Sequence, residues 1–263
     1  MKLSVAGAEL ACEVTGTGPA LLLLHAFPLG LVMWDEQVAA LRASHQVVRF
    51  DARGFGGSPP GDSLLTMERI ADDGVGVLDR LGIASAAVVG LSMGGYAALA
   101  LVRRHPDRIR ALVLADTRAG ADSPEAKATR AAQAEKVRRE GAAAIADAVL
   151  PKLLGATSHK ERPDLVARVR RIIESTPPRG IADGLAGLAA RGDSTPALRE
   201  IRVPTLVVVG EEDTITPPPE AEALQRGIAG SRLAVIPRAG HLANMENPAE
   251  FNRQVGAFLA SLS

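Results

Sequence analysis

Cysteine is almost missing from this chain. Its 263 residues include one, Cys12, so no intramolecular disulfide can form, and a reducing compartment, the cytoplasm, is the expected setting. Leu10-Ala11-Cys12 has the outline of a lipid-attachment site. However, no apolar segment precedes it, and Glu9 stands where such a signal needs an apolar side chain, so Cys12 is expected within a strand and no secretion leader is expected. Aromatic residues make up 3%, and residues 118–199 hold no Phe, Tyr or Trp. No charge predominates: 30 Lys and Arg offset 30 Asp and Glu, which leaves a nucleic-acid partner without electrostatic support at the level of the whole chain. Long apolar runs are absent as well. A membrane span needs roughly 18 or more such residues, and the best candidate, residues 86–101, is interrupted by Gly90, Ser92, Gly94 and Gly95. What is present is 47% apolar and 23% charged residues, the composition of a soluble globular protein. No sequence signal bears on its oligomeric state.

Short apolar runs recur at 20–24, 47–50, 86–89, 109–114, 205–209 and 233–236. Each is too short for a stable helix and is bounded by glycine, proline or charge, the pattern of fully buried parallel strands. The first 14 residues alternate like a further strand. Helical spacing of apolar residues covers 66–81, 92–104, 217–227 and 247–262. Strands alternating with helices predict an α/β fold, a mainly parallel sheet flanked by helices on both faces. From about 118 to 199 the alternation stops. Asp122-Ser123-Pro124-Glu125 is a helix start, with Asp or Ser as cap and Pro in the first turn, and further helices are expected over 142–154, 163–174 and 179–190. These boundaries predict an α/β core made of residues 1–117 and 200–263, with an all-helical insertion at 118–199.

The strongest chemical signal is Gly90-Leu91-Ser92-Met93-Gly94. It follows the run at 86–89 and opens the helix at 92–104. So sharp a turn from strand to helix forces Ser92 into strained geometry and needs glycine two residues to either side, where neighbouring backbone comes close. The hydroxyl then stands at the carboxyl edge of the sheet, above the free N–H groups of a helix N-terminus, a place suited to a developing negative charge.

With this motif in context, the sequence resembles the α/β-hydrolase superfamily, nearly end to end. His25-Ala26-Phe27-Pro28 resembles the family's His-Gly-x-Pro loop, and residues 51–58, Asp-Ala-Arg-Gly-Phe-Gly-Gly-Ser, its Asp-x-Arg-Gly-x-Gly-x-Ser loop. Gly210-Glu211-Glu212-Asp213 resembles the loop that delivers an acid, and Gly240-His241 the pair that delivers a base. The resemblance implies an α/β-hydrolase fold with an all-helical cap inserted after the sixth strand. It also implies Ser92 as nucleophile, His241 as base and Asp213 as the acid that orients the base, in the chain order of this fold. Asp116, Glu211 and Glu212 are the alternative acids; His25 is implied to be a structural loop residue. The oxyanion hole is expected from the main-chain N–H groups of Phe27 and Met93, with Gly90 and Gly94 shaping the nucleophile turn. Ala26 stands where the family more often has glycine, and would be strained if that position required positive φ. No cofactor or metal is expected.

Haloalkane dehalogenases and most epoxide hydrolases of this fold carry Asp where Ser92 stands, so the resemblance points to ester cleavage or acyl transfer instead. Residues 25–37, from His25 through Met33-Trp34 to Gln37, resemble the 3-oxoadipate enol-lactone hydrolase group in particular. The expected function is a serine carboxylic-ester hydrolase acting on a small ester or lactone through an acyl-enzyme. The alternatives are the enol-lactone specifically, a cofactor-free perhydrolase of the haloperoxidase type, and a non-catalytic ligand-binding protein on the same fold. Met33 and Trp34 themselves are expected in the core.

Overall fold

The computed structural model describes residues 1–62 and 64–262; residues 63 and 263, both inside the expected core, lie outside the described residues. Eight strands form one sheet: β1 (Lys2–Val5), β2 (Ala8–Thr15), β3 (Ala20–Leu24), β4 (Gln46–Phe50), β5 (Ala86–Leu91), β6 (Ile109–Ala115), β7 (Thr205–Gly210) and β8 (Arg232–Ile236). Their order is β1-β2-β4-β3-β5-β6-β7-β8, antiparallel at β1–β2 and β2–β4 and parallel from β4 onwards. The six expected runs are six of these strands, each within a residue or two of its expected ends. The opening segment is a hairpin rather than one strand. Ala6 and Gly7 both take positive φ, 44° and 78°, a two-residue reversal whose backbone twist suits paired antiparallel strands. Ala6 lacks the usual turn chemistry, which hid it. Cys12 lies in β2 and is buried.

The helices before β6 are α1 (Asp35–Leu41), α2 (Met67–Arg80) and α3 (Met93–Arg104). Thr66 caps α2 by accepting from the Arg69 N–H at 3.1 Å. Met33 and Trp34 lie in a short 3-10 turn just before α1, with 1% and 0% of their surfaces exposed. The segment between β6 and β7 is helical: α4 (Pro124–Glu140), α5 (Ala142–Leu153), α6 (Ala156–Glu161), α7 (Pro163–Glu174) and α8 (Pro178–Ala190). Ser123, not Asp122, caps α4, accepting from the Ala126 N–H at 3.2 Å. Asp122 turns inward to Arg118, Arg130 and Arg191 instead. Helix α6 was not anticipated, because six residues are too few to show a period. After β7 the chain adds α9 (Pro218–Gly227), and after β8 it adds α10 (Ala243–Glu246) and α11 (Pro248–Ala260). Among the described residues no helix is long and apolar enough to cross a membrane.

The leucines of β3 and the residues of β5 and β7 are buried on both faces, as a sheet covered on both sides requires. β3 lies between β4 and β5: the connection from β3 runs to β4 on one side, and the connection from β4 crosses to β5 on the other. A crevice opens beyond the carboxyl ends of the strands at such a switch point, and the loops after β3 and β5 meet there.

Candidate active site

One residue separates β5 from α3. Ser92 takes φ 54° and ψ −112°, a conformation that costs a non-glycine residue about 1–3 kcal/mol. Its surroundings hold it there. The Ser92 N–H donates to Ala115 O at 2.9 Å, and Ser92 O accepts from the Tyr96 N–H at 3.0 Å and from the Thr117 hydroxyl at 3.1 Å. A Cβ at Gly90 would lie 2.2 Å from Gly94 O, and one at Gly94 would lie 2.0 Å from Leu24 O. Both glycines are therefore required by backbone packed directly on backbone.

The turn delivers Ser92 Oγ to within 2.8 Å of His241 Nε2, and His241 Nδ1 lies 2.8 Å from Asp213 Oδ2. The three come from the ends of β5, β7 and β8, and Asp213 and His241 are 3% and 1% exposed. Asp213 Oδ1 accepts from the Ile215 and Thr216 N–H groups at 2.8 and 3.0 Å, and Oδ2 also accepts from the Thr216 hydroxyl at 2.7 Å. Burial pushes the Asp213 carboxyl up, but His241 and the Thr216 donors outweigh it and hold the carboxyl below its ordinary range. An ionised Asp213 draws the imidazole proton to Nδ1. Nε2 is then free to accept from Ser92.

The alternative acids are placed elsewhere. Asp116 is fully buried at positive φ, 43°. Its carboxyl accepts from the Gly210 N–H at 2.8 Å and the Ala243 N–H at 3.3 Å. Burial, with the Asp213 charge next in weight, pushes it well above the ordinary range despite those two bonds. Glu211 accepts from the Arg238 N–H, and Glu212 from the N–H and hydroxyl of Thr157. Among the described residues only Asp213 and Thr216 meet His241 Nδ1.

Neither the Phe27 nor the Met93 N–H donates to an acceptor among the described residues. Met93 begins α3, where the first N–H groups have no partner within the helix. Phe27 sits in the tight turn closed by Leu29 N–H to Ala26 O at 2.9 Å. His25 pins this turn. Its Nε2 accepts from the Ala52 N–H at 3.0 Å, which leaves Nδ1 to donate to Ala26 O at 3.0 Å, and burial pulls its pKa down. Ala26 is not among the residues at positive φ, so alanine there is unstrained. Of the other histidines, His45 and His105 are half-buried, bonded to Ser44 and Asp72, and His159 is exposed.

Two residues escaped the sequence reading. Thr216 lies within hydrogen-bond distance of both Asp213 and His241; its signal was the spacing of an Asp side chain that bonds backbone two and three residues on. Glu246 is buried and accepts from the N–H groups on either side of His241, and an isolated acid ahead of Asn247-Pro248 carries no signal of its own.

This fold and arrangement define a class. A family model described as the alpha/beta hydrolase fold matches residues 19–248, and the chain belongs to that family. Within it, the chain is 30% identical over 241 residues to 3-oxoadipate enol-lactonase 2 of Acinetobacter baylyi, covering 92% of this chain and 88% of that protein. Among solved structures, a thermophilic esterase from Thermogutta terrifontis, with malate bound, is 42% identical at a TM-score of 0.96, covering 100% of this chain and 98% of the other. The enol-lactonase of Burkholderia xenovorans LB400 is 36% identical at 0.93, covering 99% and 100%.

Proposed function

We propose that this protein is a serine hydrolase that cleaves a small carboxylic ester or lactone through an acyl-enzyme. The observation that carries the reading is the unbroken line from Ser92 Oγ through His241 to Asp213, each step 2.8 Å. Ser92 Oγ attacks the substrate carbonyl while His241 Nε2 takes its proton. The ionised Asp213 keeps the imidazole in the right tautomer and stabilises the imidazolium. The carbonyl oxygen, now negative, receives the N–H groups of Phe27 and Met93; one such donor is worth about 2.7–4 kcal/mol in a serine protease. His241 then protonates the departing alkoxide and the carbon–oxygen bond breaks. For a linear ester the alcohol leaves; for a lactone it stays tethered to the acyl group. Water, deprotonated by His241, attacks the acyl carbon; the bond from that carbon to Ser92 Oγ breaks, His241 returns the proton to Oγ, and the carboxylic acid is released.

Both kinds of relative support the substrate class: an esterase at 42% identity and enol-lactonases at 36% and 30%. Residues 118–199 serve in this reading as the cap that shapes the acyl pocket. Helix α8 reaches the Phe27 loop, where a Cβ at Gly184 would come within 3.1 Å of the Phe27 ring, and α6 reaches the His241 loop. With no aromatic side chain, the cap is suited to compact, non-aromatic acyl groups. The test is turnover of short p-nitrophenyl esters of increasing chain length, with an enol-lactone added to the series. The expected result is highest kcat/KM on short acyl groups or the lactone, with a loss of roughly 1,000-fold or more in Ser92→Ala, which removes the nucleophile. Wild-type turnover in Ser92→Ala overturns the reading.

A further inference from the structure

The residues around His241 hold a second device. Glu246 is 6% exposed, and its carboxylate accepts from four donors on two separate parts of the chain. Oε1 accepts from the N–H groups of Gly240 and Leu242, at 2.9 and 3.2 Å, on either side of His241. Oε2 accepts from the Gly155 N–H at 2.8 Å and the Ser158 hydroxyl at 2.6 Å, at the start of α6. One oxygen holds the loop of the base and the other holds the helical insertion.

The two parts are also in direct backbone contact. A Cβ at Gly240 would lie 2.3 Å from Gly155 N. Around this contact, Glu212, the neighbour of Asp213, holds Thr157, and Arg238 pairs with Glu161. These outer links are more exposed. Among the described residues Glu246 alone joins the insertion to the main chain flanking His241 from a buried position, with four donors aimed at its two oxygens.

We propose that Glu246 is a positioning residue: one buried carboxylate ties the seat of α6 to the His241 loop, so that the placement of the insertion and the placement of the base are set together. The inference rests on the reading of His241 as the base. An amide cannot replace the carboxylate. Glu246→Gln turns one oxygen into a donor, facing either the two N–H groups beside His241 or the Gly155 N–H and Ser158 hydroxyl, and one half of the tie is broken or weakened. Reacting atoms displaced by even about 1 Å lose on the order of 100-fold in rate, so a partial loosening of the imidazole is visible in kinetics.

The experiment compares wild type, Ser92→Ala, Glu246→Gln and Ser158→Ala. Three quantities are measured: kcat and KM for p-nitrophenyl acetate, and the rate at which a fluorophosphonate labels the protein. Titrating the label counts intact sites, so kcat per titrated site is independent of any unfolded fraction. For Glu246→Gln we expect kcat per site and the labelling rate to fall together by tenfold or more, with KM within twofold. A loss confined to thermal stability or to KM, with labelling within twofold of wild type, overturns the proposal. Should Glu246→Gln not fold, Ser158→Ala decides: it removes one bond on the insertion side and touches nothing beside His241. A labelling rate lowered about threefold supports the tie, and an unchanged rate overturns it. Ser92→Ala separates the two levels. If it keeps wild-type turnover, the reading of the site fails; if it is inactive while both other variants behave as wild type, the tie alone fails.

Discussion

Replacing Asp213 and Asp116 by asparagine, one at a time, exposes the logic of the site. In Asp213→Asn the amide has one acceptor atom where the carboxylate had two. The Oδ1 position faces two fixed backbone donors, Ile215 and Thr216, so the amide oxygen settles there and the NH2 group turns to His241. A donor facing Nδ1 draws the imidazole into the other tautomer, with the proton on Nε2 pointing at Ser92. Nε2 then already carries a proton and cannot accept one from Ser92. In a serine protease the same change lowers kcat roughly 10,000-fold, or about 5 kcal/mol of barrier, and the bonding here predicts a loss of that order. Asp116 differs. Its carboxyl is already pushed towards the neutral form by burial and by the Asp213 charge, and an amide oxygen still accepts from Gly210. Asp116→Asn is therefore expected to keep kcat within about tenfold of wild type, since it alters no hydrogen bond of the imidazole. Initial rates of p-nitrophenyl acetate hydrolysis at neutral pH, normalised to circular dichroism, make the comparison. Near-wild-type activity in Asp213→Asn, or a 10,000-fold loss in Asp116→Asn, refutes the reasoning.

Gly94→Ala places a methyl 2.0 Å from Leu24 O, and backbone cannot yield as a side chain can; overpacking of this kind costs about 1–3 kcal/mol, so the melting temperature should fall along with kcat, and an unchanged melting temperature counts against the packing described. The Asp122 carboxyl is pushed up by burial but pulled further down by Arg130, Arg191 and Arg118, from its ordinary 3.8 to about 2. A folded-state value below the unfolded one contributes stability that is present above pH 4 and lost as pH falls from about 4 towards 2, here about 2 kcal/mol. Thermal unfolding from pH 6 to pH 2 should show wild type losing more stability than Asp122→Asn, which starts lower; parallel declines contradict the assignment.

Much of this was legible because the residues involved act locally. The parallel strands announced themselves as short apolar runs between breakers, since burial on both faces leaves no polar alternation to confuse them. Ser92 was legible because a strand-to-helix turn of one residue demands glycine at 90 and 94. Features made by distant contact were not. The hairpin at Ala6-Gly7 lacks a typical turn pair, and α6 is shorter than the pattern that reveals helices. Sequence offers Asp122 and Ser123 equally as the cap of α4, because both suit a helix start; Arg130 and Arg191, from α4 and the end of α8, claim Asp122 and leave the cap to Ser123. Glu246 gains its meaning only when the chain brings Gly155 and Ser158 to it from some 90 residues away.

The most direct test of the central claim is to treat the protein with one equivalent of a fluorophosphonate and follow intact mass and p-nitrophenyl acetate turnover together. The account predicts a single adduct per chain, mapped by peptide mass to Ser92, with activity lost in proportion to labelling and no adduct in Ser92→Ala. Full turnover with Ser92 fully modified, or inactivation by an adduct on another residue, contradicts it.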